Sequence, residues 1–460
     1  MTKQNSKISK QQILDTIVRA YDVRGKYPEM VNEEIVYDLV QGYIKFVKPK
    51  KVVVSRDVRE SGPELQKAVI KSFIDSGVDV IDVGIVSTDM FYFAISHLGV
   101  DGGITVSASH NPAEDNGLNM AKKGAEPISG DSGLNVIKES ALEGERIKTD
   151  KIGRVEKNNV LPEFVDFVCS FIDTQKIKPF KIIANPNCGL QGKIFQEIIK
   201  KKNLPVDLTM INGEPDGTFP QGDPNPLLPE NREEICDLVK KEKADLGVSW
   251  DADGDRVFFV DELGRFIDGY YTVGVLAQEI LKDKPGSTIL IDPRVIWNSY
   301  DLVEKAGGRV IQIKPGMTRI PEKMVEHQAV FCGEMSGHCY FPENDNRDNG
   351  IIPLLLMLEM LSRTGKKMSQ IYNPLFDKYP ISGEINSEVK DIQKVIDRIK
   401  KKYFDGKQEF VDGLSVEYPR WRFNLRASNT EPVIRLNVES RGDKELVEEK
   451  TRELLGLIRK

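Results

Sequence analysis

The sequence predicts an α/β chain: three mixed-sheet α/β domains in succession, then a smaller C-terminal α+β domain. Strand-like and helix-like segments alternate, and the alternation restarts twice along the chain. Beyond Tyr372 the style changes, with Pro374 and Pro380 marking a linker ahead of a helix, short strands and a closing helix. The length of 460 residues corresponds to about three domains, and a 40% apolar composition can fill their cores.

The elements follow in order. The first twelve residues are polar and read as a loose tail. Residues 51–55, 78–83 and 102–107 read as strands, with helices near 64–75 and 89–97; the apolar, glycine-punctuated run 98–104 reads as buried strand. The pattern restarts at strand 181–185, with a helix near 230–243 and a strand at 245–250. It restarts again at 288–292, 310–314 and 329–333. The run 351–361, broken by Pro353 and Glu359, is too short to span a bilayer and reads as a core helix. Helices at 389–402 and 444–458 flank strand-like 421–425 and 433–438. The expected divisions are 1–155, 156–258, 259–371 and 372–460.

Composition narrows the function. The net charge of −6 disfavours a general binder of nucleic acid or anionic membrane, though local arginines can still hold an anionic ligand. Four histidines are few, and the five cysteines (Cys169, Cys188, Cys236, Cys332, Cys339) are scattered without a CxxC pair, which suits free thiols in a reducing cytoplasm. No signal peptide, GxGxxG or P-loop sequence stands in the chain, so neither a dinucleotide enzyme nor an ATP-driven kinase has an anchor.

Four segments hold the chemistry. Thr105-Val-Ser-Ala-Ser-His-Asn-Pro112 sets Ser109, His110 and Asn111 on a loop at a strand's end, where open α/β sheets bind ligands. A serine there can be a covalent carrier, although Ser-His and Asn-Pro are also ordinary turn pairs. Asp251-Ala-Asp-Gly-Asp-Arg256 sets three carboxylates at i, i+2 and i+4 between strand-like segments, where extended backbone would face them one way. A hard cation such as Mg²⁺ resolves their repulsion. Glu262 falls at the twelfth position of an EF-hand count, but Arg256 occupies the sixth, where that loop needs glycine. An aspartyl-phosphate pair and a solvated acidic turn are the other readings. Gly333-Glu-Met-Ser-Gly-His338 offers Glu334, Ser336 and His338, the donor and acceptor mixture sugar hydroxyls need, or a polar hairpin. Arg426-Ala-Ser-Asn-Thr-Glu-Pro432, with Arg435 beyond, suits phosphate or a polar turn between strands.

Together the four segments resemble the α-D-phosphohexomutase family, in its phosphomannomutase/phosphoglucomutase branch. Tyr21-Asp-Val-Arg-Gly25, Arg56-Asp-Val-Arg59 with Ser61-Gly-Pro63, Pro224-Asn-Pro-Leu-Leu228, and Asp292-Pro-Arg294 with Trp297-Asn298 extend the resemblance over nearly the whole chain. It implies four domains around a central cleft, the last moving to close it. It implies a mutase interconverting hexose 1-phosphate and hexose 6-phosphate, of mannose and/or glucose, through phosphoserine at Ser109 and a hexose 1,6-bisphosphate that also serves as activator. It implies one Mg²⁺ held by Ser109, Asp251, Asp253 and Asp255, with His110 and Arg256 at the transfer site. Tyr21, Arg24, Arg294, Glu334, Ser336, His338, Arg426, Ser428, Asn429 and Thr430 would bind substrate. The expected protein is cytoplasmic, a monomer or homodimer, with small hexose phosphates as partners and no nucleic acid or membrane.

The chain departs from the family at three places. Asn119 stands where the family has a lysine ten residues after the serine. In an unbroken strand Lys122 would face the opposite way, and Lys123 would share the face but lie about 13 Å along it. Met317 stands where relatives have histidine, and Arg294 where some have lysine. These changes imply a mutase of lowered rate or shifted preference; a sugar-phosphate phosphatase and a non-catalytic binding protein are the alternatives.

Overall fold

A computed structural model describes residues 8–427 and 433–460. Four sheets follow one another along the chain. The first has the order Val23–Lys26, Asp115–Lys122, Gly102–Val106, Lys51–Arg56, Asp79–Ile85, Val155–Lys157, with Glu126–Pro127 beside Asp115–Lys122. Its central strands are parallel, and Asp115–Lys122 turns it antiparallel. The second runs Phe266–Ile267, Val257–Asp261, Leu246–Trp250, Phe180–Asn185, Val206–Met210. Because Val257–Asp261 pairs antiparallel with Leu246–Trp250, this sheet continues past position 258. The third runs Arg309–Gln312, Thr288–Ile291, Ala329–Gly333, Cys339–Phe341, Arg347–Asp348. The fourth is wholly antiparallel and has its own core of Ile399, Leu414, Phe423, Leu436 and Leu454 under two helices. The expected architecture of three mixed α/β sheets and a C-terminal α+β unit is therefore present.

Central strands are buried along their whole length, as Leu246–Trp250 and Thr288–Ile291 are, and read as mainly apolar runs. Several helices begin where the sequence supplies a cap. Asp391 accepts from the amide of Lys394 and Asp443 from that of Leu446, starting Ile392–Lys402 and Lys444–Ile458. The helix Ile352–Thr364 is buried on nearly every face and joins one core shared by parts of the first three units. No helix among the described residues is long and apolar enough to cross a membrane.

Three local expectations fail. Residues 10–12 are not a tail: Ser9 and Gln12 form a reciprocal capping box that starts the helix Lys10–Ile17, whose Leu14 and Ile17 are buried. The run 98–104 is not one strand; Leu98 caps the helix Thr88–His97, and the strand begins at Gly102. Pro374 lies inside the helix Met368–Lys378 rather than in a linker. Burial of Tyr372 and Leu375, with Phe376 against Tyr271 at 4.8 Å between ring centres, outweighs the amide that proline removes.

The third and fourth units meet at a buried ion pair. Glu439, fully buried, accepts from Arg422 Nη1 at 2.7 Å, the amides of Ile296 and Trp297 at 2.7 and 3.2 Å, and the Tyr270 hydroxyl at 2.7 Å. Arg422 also donates to the carbonyls of Pro293 and Arg294. Breaking a buried pair strands the remaining charge. The substitution Arg422→Met should therefore cost about 3–5 kcal/mol in urea unfolding of the C-terminal unit, followed by tryptophan fluorescence.

Candidate active site

Ser109 sits just past the strand Gly102–Val106 in a left-handed conformation, φ 51°. A serine adopts that conformation only where its surroundings enforce it. Here the enforcement comes from Arg59, wholly buried. Its Nη2 donates to the carbonyls of Ser109 and Asn111 at 2.8 and 2.7 Å, and its Nη1 to those of Pro112 and Asp115. Asp57 holds the same guanidinium through Nε at 3.1 Å. Arg24 reaches the loop from the neighbouring strand, donating to the Ala108 carbonyl and to Asn111 Oδ1.

The serine faces the acidic loop of the second unit. Ser109 Oγ donates to Asp253 Oδ1 at 2.9 Å, and Thr88 Oγ1 donates to Asp253 Oδ2 at 2.9 Å. The three carboxylates do not share a face of extended backbone, as their spacing suggested. They converge because the loop curls: the Gly254 amide donates to the Asp251 carbonyl, and Gly254 takes φ 79°. A side chain at Gly254 would also strike Gln191. One ligand oxygen from each of Asp251, Asp253 and Asp255 lies within 4.8 Å of the others, and all three residues are buried.

Burial and mutual repulsion raise Asp251 well above the usual carboxylate range and Asp253 to about 6. Burial also opposes charge on Asp255, but His338 and Arg256 hold it low. Asp251 Oδ2 and Asp255 Oδ1 receive no hydrogen bond among the described residues, although Arg256 Nε lies 3.3 Å from the former. Hard oxygen donors, convergent and unsatisfied, fit a divalent cation such as Mg²⁺.

The histidines flank this cluster in opposite states. His110 is driven well below its usual range by burial and by Arg256 and Arg24, and its Nδ1 accepts from Arg256 Nη2 at 3.0 Å while lying 3.1 Å from Ser109 Oγ. Burial also opposes charge on His338, but Asp255 and Glu334 outweigh it and raise the ring to about 10. Its Nδ1 lies 2.9 Å from Glu334 Oε2 and 3.1 Å from Ser336 Oγ, and its Nε2 lies 3.5 Å from Asp255 Oδ1. Arg256 Nε stands 3.2 Å from the same Nε2, a hydrogen bond only a neutral ring could accept; two carboxylates against one guanidinium favour the imidazolium.

Of the sequence-selected residues, Ser109, His110, Arg24, the three aspartates, Arg256, Glu334, Ser336 and His338 come together. Tyr21 lies beside the turn at Gly316. Arg294 is bound by Asp292 at 2.7 Å and reaches Ser336 Oγ at 3.5 Å. Arg426 lies in the C-terminal unit, and Ser428, Asn429 and Thr430 fall outside the described residues. Asn119 is buried opposite Thr105. Lys123 does not continue its face, because the strand ends at Lys122 and Gly124 turns the chain at φ 72°. Met317 accepts the Tyr92 hydroxyl at its sulfur, 3.6 Å away. Sequence reasoning found no role for Arg59, although its motif was visible, and missed Thr88 and Asp89. Asp89 joins the three α/β units, accepting from Gln191 Nε2 at 3.1 Å and from the Gly350 amide at 3.3 Å.

Comparison with known proteins agrees with this layout. Models described as phosphoglucomutase/phosphomannomutase alpha/beta/alpha domains I, II and III match residues 15–147, 162–264 and 268–379, and the C-terminal domain of the same family matches 384–455. A phosphomannomutase of Escherichia coli is 41% identical over 452 residues, covering 96% of this chain and 99% of that protein. A protein of Xanthomonas campestris pv. campestris named for phosphohexose mutases is 40% identical over 443 residues, covering 96% and 98%. The crystal structure of a phosphoglucomutase/phosphomannomutase family protein from Burkholderia thailandensis superposes with a TM-score of 0.86 at 30% identity, covering 98% of each chain. With all four domain models matched in order along its length, the chain belongs to the phosphoglucomutase/phosphomannomutase family.

Proposed function

We propose that the protein interconverts the 1- and 6-phosphates of a hexose, mannose and/or glucose, with Ser109 as phosphoryl carrier. The observation that bears most weight is the Ser109 hydroxyl hydrogen-bonded into a buried three-aspartate cluster at a junction of three units. In this reading phosphorylated Ser109 gives its phosphoryl group to the sugar's free hydroxyl. The bound hexose 1,6-bisphosphate turns end for end and returns its other phosphoryl group to Ser109. Added bisphosphate would act as activator by phosphorylating Ser109.

Asp251, Asp253, Asp255 and an oxygen at Ser109 would hold one Mg²⁺. When bound, the ion would supply positive charge against the transferring phosphoryl oxygens. Arg24 and Arg256 add fixed guanidinium charge from two sides, which offsets the roughly −2 charge of a phosphoserine. Arg59 keeps the serine loop rigid, so the reacting oxygen is held in position for transfer. Glu334, Ser336 and His338 present acceptors and donors for the sugar, in either of its orientations. Tyr21 and Arg294 line the cleft, and Arg426 with Ser428, Asn429 and Thr430 would hold the phosphate that is not reacting. That distant grip contributes binding energy that positions the reacting end. The fourth unit, with its own core, would close the cleft and exclude water from phosphoserine. A phosphatase or a non-catalytic binder is not favoured by the family relationship. Glu334-Met335-Ser336 matches the mannose/glucose branch better than the glucosamine branch, which has Gln after Glu. A cytoplasmic location and a monomeric or dimeric state belong to the same proposal, as do divisions near 155, 258 and 371, shifted to the ends of the elements those positions cut: Val155–Lys157, Val257–Asp261 and Met368–Lys378.

A coupled assay with Mg²⁺, a trace of hexose 1,6-bisphosphate, and mannose or glucose 1-phosphate should show conversion to the 6-phosphate. Ser109→Ala should lower that turnover by at least about 10³-fold; unchanged turnover in this variant would reject the serine carrier. Chelation should abolish activity and Mg²⁺ restore it, with Asp253→Asn falling about 10²- to 10³-fold at saturating Mg²⁺; an active chelated enzyme would exclude the cation. Asn119→Lys should raise turnover on one of the hexose phosphates by about tenfold, and no gain on any would show that Asn119 does not limit the rate.

A further inference from the structure

Glu384, in the connection just before the strand Ile385–Glu388, sits among three arginines from two units. Arg435 Nη1 donates to its Oε1 at 3.0 Å; Arg426 Nη2 donates to Oε2 at 3.3 Å; Arg294 Nη1 lies 3.6 Å from the same oxygen. Asn437 Nδ2 also approaches Oε2, at 3.5 Å. A second carboxylate, Asp412 Oδ2, lies 3.5 Å from Arg426 Nη1. Arg426 is buried, yet its Nε has no partner among the described residues. Arg294 links the cluster to the sugar loop through Ser336.

These contacts are loose. Charge-assisted N–H···O bonds are best at about 2.7–2.9 Å. Two buried pairs at the same interface reach that range: Arg422 to Glu439 at 2.7 Å and Arg294 to Asp292 at 2.7 Å. Glu384 meets none of the three guanidinium groups within that range, whereas a tetrahedral anion presents more oxygens in more directions. The side chain is also 20% exposed, so it has an exit, which the fully buried Glu439 lacks.

We propose that Glu384 is a resident counter-anion of this arginine cluster. It occupies the cluster when no ligand is bound, is displaced by the substrate's non-reacting phosphate, and weakens the hold on that phosphate enough for the bisphosphate to leave and turn. The inference rests on the reading of the C-terminal unit as the phosphate site. Its logic is energetic: without Glu384 among them, the three guanidinium groups would bind the intermediate more tightly in one orientation, which stabilises the ground state and slows reorientation. Displacement of Glu384 would also break its link to Arg294, and so loosen this edge between the third and fourth units.

Glu384→Gln and Glu384→Asp, each verified as folded by its thermal melt, are titrated with inorganic phosphate by calorimetry beside the native protein. Glu384→Gln should bind phosphate about tenfold more tightly than native, and Glu384→Asp, with its charge drawn back, by an intermediate factor. In turnover Glu384→Gln should lower KM and kcat together. A purely structural role would instead leave phosphate affinity unchanged or reduced. Either folded variant binding phosphate no more tightly than native overturns the proposal. Native protein that binds no phosphate overturns it together with the reading of the site.

Discussion

The constraint on which the rest of this structure depends is the repulsion among Asp251, Asp253 and Asp255. Three carboxylates, buried within a few ångströms of one another, cannot all be ionised without compensation. The compensation comes from every direction: Arg256 from the loop's own end, Arg24 from the first sheet, His338 from the third, and hydrogen bonds to Asp253 from Thr88 and Ser109. It remains incomplete, since among the described residues the buried Asp251 Oδ2 and Asp255 Oδ1 receive no hydrogen bond. A protein tuned for stability alone would replace such a cluster with apolar side chains. Its retention at the meeting of three units is what makes it a site.

Much of this could be read in the chain, for definite physical reasons. A strand end is legible where an apolar run stops at polar residues, which located the loops after Val106, Trp250 and Gly333. The acidic cluster was legible because its ligands are adjacent in sequence. Their convergence was anticipated for the wrong geometric reason, since a glycine-hinged turn rather than pleated backbone gathers them. The buttress Arg59 was not assignable: its acceptors lie some fifty residues away, and nothing local tells a buried arginine from a solvated one. Pro374 misled because proline in a helix is a local rule, and packing of Tyr372, Leu375 and Phe376 overrides it. The helix at Lys10 was hidden by its polar surface, although its capping box was written in Ser9 and Gln12.

The Ser109 site and the C-terminal unit solve opposite electrostatic problems. Around Ser109 the protein gathers carboxylates and needs cations to settle them. At the C-terminal unit it gathers arginines and settles them with Glu384 and Asp412. In the proposed function a dianionic phosphate group would complement both, through a divalent cation at one end and directly through guanidinium groups at the other. A substrate with one reacting and one anchored phosphate fits that polarity, and exchanging its ends is the act a mutase must perform.

The contrast between Glu439 and Glu384 shows how one interface can be both fixed and responsive. Each glutamate belongs to the fourth unit and meets groups of the third. Glu439 is fully buried, with four donors in range of both its oxygens, so any departure would leave a bare charge in an apolar setting. It acts as a pivot. Glu384 is partly solvated and held at longer distances, so water and an arriving anion can replace its partners at small cost. On the proposed exchange at Glu384, an arriving anion would loosen one edge of this interface while the Glu439 cluster and the Trp297–Glu417 hydrogen bond hold the rest. In that proposal it is the charge of the ligand, rather than its bulk, that would release the edge.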